Sequence, residues 1–178
     1  MQQIELSYEQ SKQRIINELQ KHKTGVLATS DGNTVTAREM VFVYDGLMIY
    51  CRSEGLFKKF NQIESNPNVA IAAGNIQIEG VATIKGHPLE KTNARFVQLY
   101  KEQIPQAYEV ACRDYFPRSD CRLIAILPKK ITLYVGGPPS ESAGYTFSGY
   151  FDILNIDKQH AQRVSIWDVW ESTEYNDK

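Results

Sequence analysis

Cysteine, histidine and proline are all scarce in this chain. Its three cysteines in 178 residues, Cys51, Cys112 and Cys121, are an odd number at unrelated spacings. They form neither a disulfide framework nor a zinc motif. Two sit inside apolar strand-like runs and read as reduced core thiols, which suits a cytoplasmic protein. His22, His87 and His160 have no spacing that would make a metal site or a catalytic triad, so no metal is expected. The seven prolines are scattered, and there is no repeat or low-complexity tract; residues 1–178 therefore read as a single domain. No apolar run reaches the roughly 18 residues of a membrane span. Met1 to Leu6 does not look like the start of a signal peptide, so a soluble intracellular protein is expected. A net charge of −1 gives no electrostatic footprint for nucleic acid.

What the chain does have is enough apolar sequence, 42% of its residues, for a sizeable core. Ser7 to Gln10 fits a capping box, and Tyr8, Ile15, Ile16 and Leu19 follow at helical spacing, so a helix is expected over 8–22. Thr24–Ser30 reads as a strand, Asp31-Gly32-Asn33 as a turn and Thr34–Val43 as a second strand. Tyr44-Asp45-Gly46 then turns into a third strand at Leu47–Arg52, giving an antiparallel meander of three. Leu56, Phe60 and Ile63 mark a short helix stopped at Asn66-Pro67. Val69–Ala73 reads as a buried strand. From Asn75 to Lys85 apolar and polar residues alternate, as in a strand with one face in the core. Residues 90–116 read as two helical pieces broken at Ile104-Pro105. Cys121–Val135 reads as a last long strand with a bulge or edge at Pro128. Gly136 to Gly149 is turn-rich, and the tail to Lys178, with Val164, Ile166, Trp167, Val169 and Trp170, carries little signal; together 136–178 form a loop and tail that periodicity does not resolve. The architecture expected is mainly β with flanking helices, an antiparallel barrel.

One residue disturbs that pattern. Arg38 places a full positive charge in mid-strand, where it needs an anion or a carboxylate partner such as Glu79. Thr36 and Met40 share its face. Of the pair Lys58-Lys59, helical geometry puts Lys59 beside the apolar stripe and Lys58 away from it. Arg38 and Lys59 converging near a helix N-terminus would make an anion site that phosphate fits. Asn75 either presents its amide to a heterocycle or is simply a turn residue. Gly136-Gly137-Pro138-Pro139 is not a phosphate loop, since it lacks the Lys-Ser/Thr that follows one. No serine or cysteine has a convincing nucleophile setting, so the catalytic residues are unknown.

Residues 24–88, and more loosely 89–135, resemble the pyridoxamine 5′-phosphate oxidase-like flavoproteins, the FMN-binding split barrels. The resemblance is carried by Thr36-Ala37-Arg38-Glu39-Met40-Val41, by Ser53 before Lys59, by Phe60-Asn61-Gln62-Ile63 and Asn66-Pro67-Asn68-Val69, and by Asn75 before Gly80. It implies an antiparallel split β-barrel with FMN as cofactor. Arg38 and Lys59 would hold the FMN phosphate with Ser53 and Lys58 behind them, the backbone around Met40 and Val41 would face the isoalloxazine ring, and Asn75 would stand where glutamine is usual. It also implies a homodimer with cofactor sites at the subunit interface, and an oxidoreductase passing electrons between a reduced nicotinamide or other small donor and an unknown acceptor. The alternative within the same fold is a non-catalytic binder of haem, flavin or deazaflavin, or a stress-related protein. Three departures argue against the vitamin B6 oxidase reaction or the cofactor itself. Phe57 replaces a frequent serine, Val43 stands where true pyridoxamine phosphate oxidases carry a substrate-binding lysine, and Arg163-Val164-Ser165 lacks the histidine of their terminal motif.

Overall fold

The computed structural model describes residues 3–136 and 149–165. Its strands are β1 (Gln3–Leu6), β2 (Thr24–Ser30), β3 (Val35–Val41), β4 (Val43–Asp45), β5 (Met48–Glu54), β6 (Asn68–Ala73), β7 (Ile76–Ile84), β8 (Cys121–Gly136), β9 (Gly149–Asn155) and β10 (His160–Ser165). Helices are α1 (Tyr8–Leu19), α2 (Lys58–Ser65), α3 (Ala94–Gln103) and α4 (Pro105–Val110), followed by a π-helical turn at Ala111–Tyr115. The Gly137–Pro139 part of the turn-rich loop and the Trp167–Trp170 tail lie outside the described residues.

The sheet is antiparallel and runs β3-β2-β6-β7-β8-β9-β10-β1, with β5 on the first half of β8 and β4 on β5. β7 shows why: Ile76, Ile78, Gly80 and Ala82 are buried, while Gln77, Glu79 and Thr83 are exposed. β8 is long enough to serve three neighbours, β5 before Pro128, β9 after it and β7 along its other edge. The register of β7 on β8 shifts between Glu79 and Gly80, where Gly80 faces Pro128. Proline has no N–H to give a ladder, so the expected bulge forms there. A Cβ on Gly80 would stand 2.8 Å from the Leu127 carbonyl oxygen, which explains the glycine.

The sheet is not closed: among the described residues no ladder joins β3 to β4 or β5. The three-strand meander is therefore not what forms. β2 and β3 make the expected hairpin, but the chain breaks at Phe42 and a second hairpin, β4–β5, follows. The cause is legible in Phe42-Val43-Tyr44, all buried. Phe42 and Tyr44 enter the main core inside the sheet, while Val43 enters a second core under the helical segment. Burying both faces here removes the alternation of a half-exposed strand. The second core, Phe96, Leu99, Tyr100, Ile104 and Phe116 against Val43 and Leu123, holds α3 and the π turn on the sheet. The Tyr100 and Phe116 rings meet edge-on at 5.3 Å. The helical break at Ile104-Pro105 falls where expected.

Three further expectations are corrected. α1 ends at Leu19, and Ser7 occupies its N-cap without a side-chain capping bond. Leu56 precedes α2 and is 91% exposed, so the helix's buried face is Lys59, Phe60, Gln62 and Ile63. β8 is not the last strand, because β9 and β10 form a hairpin and β1 adds to β10. That end is fixed by Asp152, 3% exposed, which accepts from Arg14 at 2.5 Å and from both sides of the Arg163 fork at 2.7 and 3.0 Å. Arg163 is therefore engaged in the sheet. No described helix is long and apolar enough to cross a membrane. Removing the Asp152 carboxylate (Asp152→Ala) should lower unfolding free energy by about 2–3 kcal/mol, the scale of charge-assisted hydrogen bonds. The same change at exposed Asp157, which pairs with Lys129, should leave the denaturation midpoint in place.

Candidate cofactor site in the split of the sheet

The gap between β3 and β5 is a cavity of about 600 Å³, within the range of small-molecule sites. β3 contributes both of its faces. Thr36, Arg38 and Met40 are half-buried on the inner side, and Ala37, Glu39 and Val41 are exposed on the outer one. β5 contributes Arg52, Ser53 and Glu54, the start of α2 contributes Phe57, Lys58 and Lys59, and α3 contributes Tyr100. Strand pairing that would otherwise fill this space is missing, so the cavity and the split are one feature.

Among the described residues Arg38 has no carboxylate partner. Its Nη1 donates to the Leu27 carbonyl at 3.0 Å and to Thr29 Oγ1 at 2.8 Å, and its Nη2 donates to Thr36 Oγ1. Glu79, the candidate structural partner, binds Lys130 at 3.1 Å instead. The guanidinium is thus held by neutral acceptors and keeps its charge toward the cavity.

Lys59 is 6% exposed, and its Nζ donates to Ser53 Oγ at 2.6 Å. The ammonium lies 4.3 Å from the Phe57 ring centroid and 5.8 Å from that of Phe60, an aromatic setting that stabilises a cation. Phe57, a departure from the family pattern, gives Lys59 a ring face. Burial, and then the nearby Arg38 charge, hold the Lys59 pKa below the ordinary lysine value. Two like charges thus lie side by side, neither hydrogen-bonded to a carboxylate among the described residues, although Glu54 on the cavity wall favours the charged lysine.

The other sequence candidates are placed unevenly. Met40 and Val41 line the cavity. Lys58 points outward as the helical wheel requires, 3.8 Å from Asp31, and reaches only the rim. Asn75 does not line this cavity; its Nδ2 donates to the Tyr134 carbonyl at 2.7 Å on the β6–β7 turn. Cys51 is fully buried near both cations, and burial pushes its thiol up to about 12, so it is no nucleophile. No group of His, Cys, Asp or Glu among the described residues could hold a metal. Sequence reasoning missed Thr29, Gln62, Arg52 and Tyr100. Only Thr29 left a usable trace, because the Asp31-Gly32-Asn33 turn sets it opposite Thr36 in the hairpin.

The fold is the split barrel of the pyridoxamine 5′-phosphate oxidase-like proteins. Similar solved structures include a Listeria innocua protein carrying the pyridoxamine 5′-phosphate oxidase name, at 24% identity and TM-score 0.52, over 67% of this chain and 94% of that one. General stress protein 26 of Bacillus anthracis matches at 23% and 0.53, over 71% and 92%. The haem storage protein HutZ of Vibrio cholerae matches at 17% and 0.53, over 65% and 88%. By sequence, general stress protein 26 of Bacillus subtilis is 41% identical over 63 residues, which is 35% of this chain and 45% of that protein's length. No family model matches the chain.

The lowered Lys59 pKa has a testable sign. An anion binds the protonated amine and raises its pKa, so affinity is level below the free-site pKa and falls as pH rises through it. Sulfate, whose charge does not change in that range, should therefore lose affinity at a lower pH than an ordinary lysine would dictate. Calorimetric titration across alkaline pH would show the fall in wild type and its absence in Lys59→Met.

Proposed function

We propose that this chain is an FMN-binding split-barrel flavoprotein. In this reading it is an oxidoreductase that passes electrons between a reduced nicotinamide or other small donor and a separate acceptor. The observation that carries the proposal is the pair of cations, Arg38 and buried Lys59, that converge with the Ser53 hydroxyl on one cavity and have no carboxylate hydrogen-bonded to them among the described residues. That donor set fits a phosphate monoester: the Arg38 fork and the Lys59 ammonium supply charge, Ser53 supplies a hydroxyl, and Lys58 at the rim adds long-range attraction. Met40, Val41 and Tyr100 offer apolar surface beyond that corner for a planar ring. FMN, when bound, supplies the electron chemistry, and the chain's residues bind and orient it. The fold neighbours and the short match to general stress protein 26 are compatible with this reading and do not name a substrate.

The partner in this reading is a second copy of the chain. Strand register places Val26, Ala28, Val35, Ala37, Val41 and Leu127 on one outer face of the sheet. Val35 is 70% exposed, and Val26, Val41 and Leu127 exceed two-fifths. The same register interleaves them with Glu39, Gln77, Glu79 and Lys130, and exposed apolar side chains grouped with charges in this way suit an interaction surface. Because Ala37 and Val41 belong both to that face and to the cavity, a subunit docked there would wall the site.

The absorbance spectrum of the freshly purified protein tests the cofactor. The two-band spectrum of oxidised flavin supports the proposal, and a single intense Soret band would replace it with haem binding. Arg38→Ala should weaken FMN binding by about 1.5–3 kcal/mol, on the order of tenfold or more; titration as tight as wild type would remove Arg38 from the site. Val35→Glu should shift a homodimer toward monomer in sedimentation and weaken FMN binding with it.

A further inference from the structure

We infer that Gln62 is the positioning residue of the anion corner, acting on Arg38 through the hydroxyls of Thr29 and Thr36. The inference rests on the phosphate reading of the site and adds a residue that does not touch the ligand. A threonine hydroxyl has one hydrogen to give. Arg38 donates to both hydroxyl oxygens, so each hydroxyl must send its own hydrogen elsewhere. Both send it to Gln62 Oε1, at 2.7 Å each. The other end of the amide donates to the Thr34 carbonyl at 3.0 Å.

That last bond fixes the orientation of the amide. Turned over, it would set its oxygen against the Thr34 carbonyl oxygen and leave two hydroxyl hydrogens without an acceptor. Gln62 is 1% exposed and Thr29 equally so; unmade bonds at such depth carry the full desolvation penalty. One amide oxygen thus sets the direction of two hydroxyls, which in turn set the plane of one guanidinium.

Two features separate this from ordinary core polarity. First, Gln62 lies three residues after Lys59 on the buried face of α2, so one short helix both delivers the lysine and braces the arginine. Second, the brace is neutral. A carboxylate at position 62 would accept from the same hydroxyls but would put a negative charge behind Arg38 and cancel its attraction for an anion. The amide pins the cation and leaves its charge for the ligand, the preorganisation that a phosphate site needs.

The test compares FMN with riboflavin, which lacks the phosphate, by fluorescence titration of the full chain. Wild type should favour FMN by more than about tenfold. Gln62→Glu and Gln62→Met should each cut that preference about tenfold, while riboflavin affinity stays within about twofold. Thr29→Val should cut it similarly, and Thr29→Ser, which keeps the hydroxyl, should restore it. A wild type with no preference for FMN overturns the phosphate reading and this inference together. A wild-type preference that survives in Gln62→Glu and Thr29→Val overturns the role of Gln62 and leaves the phosphate reading standing. Should a Gln62 variant fail to fold, the Thr29→Val and Thr29→Ser pair decides: equal ratios overturn the inference.

Discussion

Two like charges held close together inside a protein repel, and each resists leaving water. Among the described residues neither Arg38 nor Lys59 is hydrogen-bonded to a carboxylate; burial and then Arg38 lower the lysine pKa, and Glu54 only partly offsets them. The surrounding structure is arranged to tolerate the pair. Hydroxyls and a main-chain carbonyl accept hydrogen bonds from the arginine, a serine accepts one from the lysine, and two phenylalanine rings lie near the ammonium. None of these partners neutralises either cation. An anion placed between the two cations would offset their repulsion.

The split in the sheet follows from the division of the interior into two cores. Phe42 and Tyr44 face one and Val43 the other, which draws the chain away from the β2–β3 hairpin and onto β5. β8 then supports β5, β7 and β9 by changing register at Pro128. The helical segment that fills the second core brings Tyr100 to the cavity rim. Thus the interruption that denies β3 a second neighbour also supplies the wall opposite it.

The most local features were the most legible in the sequence. Arg38 on its strand, Lys59 rather than Lys58 on its helix, the alternation of β7 and the bulge at Pro128 each depend on residues a few positions apart. Gln62 matters only once β2, β3 and α2 are brought together, so nothing near it signals its part, whereas Thr29 is marked only by the turn that sets it opposite Thr36. The meander failed as an expectation because three consecutive buried residues look like strand continuation when only one core is imagined. β1, β9 and β10 were missed because the two ends of the chain pair with each other, and because Asp152 points inward to two arginines where pattern reading expects an apolar residue. Lys59 escaped that error, since the apolar neighbours on its helix already marked its side as buried.

The free edge of β3 has another meaning. Exposed strand edges invite pairing with stray strands from other molecules, and an inward-facing charge is one way in which sheets discourage it. Any strand that docked on β3 across the cavity would bury the Arg38 guanidinium against a partner with no counter-charge. The residue that gives the cavity its positive charge thus also makes the edge repellent to polypeptide, so one side chain guards against aggregation.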